Sequence, residues 1–168
     1  MSRVAQSNET MTDNLDSSDT PDESLLAHLT GWFRQRPTSM EYWELLVTDE
    51  RLVWCFVGES FKSMLLRADT GERRRQEIEN ATPQRVLTLS ERNFAVPLAA
   101  VESIRLRDGS LFRRAALTVE WETDDESDSF ELHATKSADS QVGDVEALQN
   151  ESALSHVAVE VETSNGLF

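Results

Sequence analysis

The spacing of apolar positions changes several times along the chain, and each change marks an element. Residues 1–23 are polar, rich in Ser, Thr, Asn and Asp, and have almost nothing to bury. Such a segment cannot offset the entropy of ordering, so residues 1–22 are expected to form a disordered acidic tail. Leu25, Leu26, Leu29, Trp32 and Phe33 then recur at helical spacing, after a Thr20-Pro21-Asp22-Glu23 start and before Pro37. This predicts an amphipathic helix over 23–36. From residue 41 the period becomes that of strands. Residues 42–48 and 51–57 are β-branched or aromatic runs around Thr48-Asp49-Glu50, which predicts an antiparallel hairpin.

Helical spacing returns between 58 and 92. Phe61, Met64 and Leu65 share one helical face, residues 69–72 read as a break, and 72–79 form a short charged helix. Pro83 opens a further helical turn carrying Val86, Leu87 and Leu89. Strand character resumes at 93–98 and 101–107. Pro97 suits a strand end or edge because it has no N–H to donate. Asp108-Gly109 marks a turn. Beyond it Leu117, Val119 and Trp121 alternate inward, residues 123–128 form an acidic loop, and Phe130, Leu132 and Ala134 alternate on the return strand. Asp139 caps a helix bearing Val142, Val145 and Leu148. Val157, Val159 and Val161 predict a short last strand. The fold class is thus α+β. One domain spans 23–163: a mainly antiparallel sheet or partial barrel with an N-terminal helix, a helical insertion over 58–92 and a C-terminal capping helix.

Three stretches carry a family resemblance. Residues 45–53 read Leu-Leu-Val-Thr-Asp-Glu-Arg-Leu-Val, residues 96–104 read Val-Pro-Leu-Ala-Ala-Val-Glu-Ser-Ile, and Leu117-Thr118-Val119-Glu120-Trp121 leads to Phe130-Glu131-Leu132. Together, over roughly 41–150, the chain resembles a pleckstrin-homology-like domain in the broad bacterial and archaeal sense that includes GRAM-type modules. The resemblance implies a curved antiparallel sheet or small barrel, plugged at one end by the C-terminal helix. Lipid-binding members use basic residues in the first hairpin loop. Here that loop is Asp49-Glu50-Arg51, a departure that argues against phosphoinositide binding there.

Charge narrows the setting. There are 31 Asp+Glu against 16 Lys+Arg, and only Lys62 and Lys136 are lysines. Residues 1–23 carry a net −5, residues 24–118 a net +2 and residues 119–168 a net −12. An acid excess with scarce lysine is the composition of an extreme halophile, where hydrated, mutually repelling carboxylates keep a protein soluble in molar salt. It also argues against nucleic acid as a partner. No stretch approaches the roughly 18 apolar residues of a membrane span, and the N-terminus has no apolar signal region. The expected location is the cytoplasm.

Candidate chemistry is sparse. Arg67 with Arg73, Arg74 and Arg75 forms one basic group, and Arg105, Arg107, Arg113 and Arg114 form a second around the Asp108-Gly109 turn. Either could hold an anion or an acidic partner, or be a solvated face paired with local acids. His28, His133 and His156 share no ligand spacing, and Cys55 lies in an apolar run that predicts burial. Residues 124–128 lack the glycine and distal Glu of a calcium loop. Trp32 and Phe33 read as a staple onto the domain or as an exposed docking patch. No catalytic residue, cofactor or metal site is assigned. The leading expectation is a non-enzymatic cytoplasmic interaction module that binds a protein or peptide through a sheet edge or the groove between sheet and helix. The alternatives are a peripheral membrane adaptor that binds acidic lipid head groups through an Arg cluster, and a small hydrolase or metal-dependent enzyme.

Overall fold

Alternating burial marks the strands of the second half of the chain, and near-continuous burial marks two long strands in the first. The computed structural model describes residues 22–61 and 68–163. Three long strands, β1 (Leu25–Gln35), β2 (Ser39–Thr48) and β3 (Arg51–Phe61), form an antiparallel meander. Helices α1 (Ala68–Glu79) and α2 (Pro83–Val86) follow, then strands β4 (Phe94–Pro97) and β5 (Val101–Arg107). The hairpin β6 (Ala116–Thr123) and β7 (Glu126–Ala134) precedes helix α3 (Asp139–Leu148) and a last strand, β8 (Ala158–Glu162).

All eight strands join one open sheet in the order β4-β3-β2-β1-β7-β6-β5-β8. Every pairing is antiparallel except β5 with β8. The sheet bends so that its two halves face each other. Trp54 of β3 stacks on Phe130 of β7 with centroids 4.6 Å apart, and Trp121 of β6 lies 6.3 Å from Trp54. Leu29, Leu45, Leu52, Leu106, Leu117 and Leu132 fill the space between the halves. A second, smaller core lies on the outer face of β2 and β3. There Ile78 of α1 and Val86 of α2 cover Leu46, Val53, Cys55 and Val57.

The halves meet at a narrow seam. Strand β1 pairs with β7 only through Trp32 with Ala134 and Phe33 with His133. Gly31, at φ +78, makes the bulge beside this seam, and its carbonyl accepts from the Thr135 N–H at 2.8 Å. The bulge leaves Thr30 without a ladder partner, and Gln141 of α3 supplies one. Its Oε1 accepts from Thr30 N at 2.9 Å and from Trp32 Nε1 at 3.1 Å, and its Nε2 donates to Thr30 O at 2.7 Å.

Several expectations are corrected. The helix expected over 23–36 is strand β1. Register shifts between Leu25 and Ala27, and again between Leu29 and Trp32, bring Leu26, Leu29 and Trp32 against the core at a spacing of three. A twice-bulged strand therefore imitates helical spacing. The expected break at residues 69–72 lies inside α1. The C-terminal helix does not plug a barrel: the sheet is open, α3 lays Val145 and Leu148 on its main core, and β8 extends it in parallel beside β5. The pleckstrin-homology-like barrel with an N-terminal helix and a capping helix is thus replaced by an open, mixed, eight-stranded sheet. The tail expected over 1–22 falls, but for Asp22, outside the described residues, as do Arg67, Met64 and Leu65.

Candidate docking surface

The connection from β5 to β6 is built to hold two apolar side chains in water. Asp108 N donates to Glu162 O of β8 at 2.8 Å, which fixes the loop's root. Gly109 N donates to Asp108 Oδ1 at 2.8 Å and starts the turn. A Cβ at Gly109 would sit 3.0 Å from Ala115 N and 3.2 Å from Arg113 O, so glycine lets the strands of the loop approach. Ser110 and Arg113 bridge each other, with Ser110 N donating to Arg113 O at 2.8 Å. Leu111 and Phe112 are the two residues left at the tip, and they are 96% and 97% exposed. Burying a Leu or Phe is worth about 1.5–3 kcal/mol each. The fold forgoes that gain at two adjacent positions.

Cations surround this tip. Arg113 and Arg114 follow it directly, and they line a cleft with Lys136, Ser137 and Asp139 at the approach to α3. Arg114 donates to Ala134 O at 3.1 Å and sits 5.4 Å from the centroid of Phe33, which stiffens it. A second cleft shares Ala134, Lys136 and Ser137 with the first and adds Arg75 of α1. Lys136 thus links the two basic groups that the sequence separates. Arg113 and Lys136 form no ion pair with a described residue.

The other predicted cations divide. Arg74 pairs with Glu77 at 3.1 Å and also donates to Leu89 O, so it ties α1 to the α2 region. Arg75 Nε lies 3.9 Å from buried Glu44, whose other oxygen meets His28 Nε2 at 2.7 Å. Arg73 is exposed on α1. Arg105 is engaged by Glu120 at 2.6 Å. Arg107 is half-buried beside Glu162, with its Nε unpartnered. The first group is therefore mainly structural, and the second retains Arg107, Arg113 and Arg114. Trp32 belongs to the main core, and Phe33 is buried on the opposite face under Arg114, so neither is a docking patch.

Sequence reasoning missed Leu111 and Phe112 as a tip, although an apolar pair between Gly109-Ser110 and Arg113-Arg114 was the signal. It also missed a cluster at the aromatic mouth of the main core. Buried Glu41 receives Arg34 at 2.9 Å, Arg92 at 3.0 Å and Arg36 at 3.5 Å. Burial pushes the Glu41 carboxyl up, but the hydrogen bonds from Arg34 and Trp43 and the charges of Arg34 and Arg92 outweigh it. The net effect holds the carboxyl below its ordinary range. Arg34 also lies over the Phe130 ring at 4.5 Å and Arg92 over Phe56 at 4.0 Å. The i, i+2 spacing of Arg34 and Arg36 hinted at this shared face.

Cys55 is buried, and desolvation with the nearby Glu44 charge pushes its thiol well up. His28 is engaged by Glu44, His133 lies against Phe33, and His156 faces Leu98 O at 2.8 Å. Among the described residues no three His, Cys, Asp or Glu side chains gather as metal ligands. No described helix is long and apolar enough to cross a membrane.

No protein-family model matches the chain, and no curated protein is similar to it. Among solved structures it is similar to the hSac2 domain from the human phosphoinositide phosphatase Sac2. That match has a TM-score of 0.51 and 11% identity, and it covers 98% of this chain and 92% of the other. At this identity the likeness concerns the fold alone. It overturns the expected kinship: the neighbour is an hSac2 domain, and no pleckstrin-homology-like family is matched.

Proposed function

We propose that this chain is a non-catalytic interaction module that docks through the 108–114 turn and the cationic cleft beside it. The observation that carries this reading is the pair Leu111 and Phe112, almost fully exposed at the tip of a braced turn and followed by two arginines. Large apolar side chains held in water beside unpaired cations suit a surface that offers both apolar and negative groups. The burial of Cys55, whose thiol is pushed up by desolvation and the Glu44 charge, and the separate engagement of the three histidines support the non-catalytic half of the proposal.

Sheet-edge pairing is the less favoured route. Edge strand β4 is four residues long and ends in Pro97. Edge strand β8 carries outward Glu160 and Glu162, and its Val159 carbonyl already accepts from Gln149 Nε2 at 2.9 Å. Both are features that blunt edges against added strands.

The test is fractionation of source-type cells in molar KCl, comparing the wild type with the L111S/F112S double variant. The wild type is expected in a membrane or high-mass fraction, and the variant in the free-chain fraction. If both distribute alike, the tip is not a docking element and the proposal fails.

A further inference from the structure

Resting on the docking reading, we infer that the partner of the 108–114 turn is an anionic lipid membrane. Leu111 and Phe112 would enter the interface while Arg113, Arg114 and Lys136 meet head-group phosphates. Three observations argue for a bilayer over a protein. First, the apolar groups form a projecting point of two adjacent side chains. A fluid interface accepts such a point without a matching pocket, whereas a protein partner would need one. Second, the cations are set directly behind the apolar tip, the order in which a bilayer presents phosphate around hydrocarbon. Third, the molecule is polar end to end. The opposite end of β6 is the turn Asp124-Asp125, flanked by Glu122 and Glu126 and all exposed. Strand rise puts that turn roughly 25 Å from the tip's base. An anionic surface would repel the acidic end and accept only the cationic one, so charge fixes the orientation.

Asp108 and Asp139 also line the cleft and oppose the cations there. Asp108 is held by Gly109 N at the root of the loop, behind the tip. Asp139 stands at the start of α3. The apolar pair therefore carries binding when salt screens the charges. At molar KCl the Debye length shrinks to about 3 Å, while apolar transfer is not screened.

The experiment is vesicle flotation of the full chain with phosphatidylglycerol or phosphatidylcholine vesicles. It is run in molar KCl and at the lowest salt at which circular dichroism shows the chain folded. The wild type is expected to float with phosphatidylglycerol. L111S/F112S should lose roughly tenfold or more of that partitioning at both salts. R113Q/R114Q should lose several-fold at low salt and little in molar KCl. Both pairs are exposed, so unchanged melting shows that the variants fold. F112W adds a direct readout, because its emission should shift to the blue on adding phosphatidylglycerol vesicles. Equal binding to both lipids, or no flotation, overturns the inference. If flotation fails while the tip variant still shifts from a high-mass to a free fraction in cells, the docking module stands and its partner is a protein. If that shift is also absent, both readings fall.

Discussion

Glu23 and Glu41 show how single carboxylates hold distant segments together. Glu23 takes the Arg51 guanidinium in two contacts of 2.8 Å and the Thr48 hydroxyl at 2.7 Å, pinning the start of β1 to the β2–β3 turn. The Arg51 hydrogen bond outweighs burial and holds the Glu23 carboxyl below its ordinary range. Glu41 is depressed as well. Both are therefore charged in the fold at a pH where the unfolded chain has begun to take up protons. Their stabilising contribution is complete above the ordinary Glu range, near pH ~4.3. It is lost as the pH falls through the lower folded-state values. Glu41→Gln, which leaves three arginines facing a neutral amide, should cost about 2 kcal/mol at neutral pH, and it should flatten the acid limb of a stability–pH curve. Gln141→Ala strips the Thr30 amide of both its partners and should cost about 1–3 kcal/mol in chemical unfolding. Neither residue announces itself in the sequence. Gln141 reads as one more polar position on a helix, and it acquires its role only because Gly31 breaks a ladder that lies 110 residues earlier.

The elements divide by how local their signal is. The hairpins β2–β3 and β6–β7 were legible, the first as two β-branched and aromatic runs around a short turn, the second by alternation around one. Asp124 and Asp125, at φ 50 and 65, supply the left-handed pair that a tight two-residue turn uses. Strand β1 was not legible, because its phase is set by pairing on both sides and not by its own period. The candidate surface was half legible. The arginines around Asp108-Gly109 were identified, but Lys136 reaches the same cleft only through the register of β7 and the start of α3. Helix α1 shows the limit of local reading from the other side. It is highly charged and held to the sheet chiefly by Ile78. Ile78→Ala should cost about 2–4 kcal/mol, and limited proteolysis should then cut between β3 and β4 before the sheet is lost.

At the scale of the whole molecule, a net charge of −15 is set against 16 Lys and Arg, of which Arg113, Arg114 and Lys136 share the cleft beside the tip while Arg34, Arg36 and Arg92 surround Glu41. Self-repulsion should weaken the fold in dilute buffer, so the thermal midpoint should rise steadily from low to molar KCl. A midpoint indifferent to salt would remove the halophilic reading of the composition. The two-residue ladder between β1 and β7 has a consequence in time. On either side of it most strands pair with neighbours along the chain and can zip early. The ladder itself, with Gly31 and Thr135 104 positions apart, must wait for a long stretch of chain to come round. It would be the last joint to close in refolding, and its closure coincides with formation of the core that the two halves share.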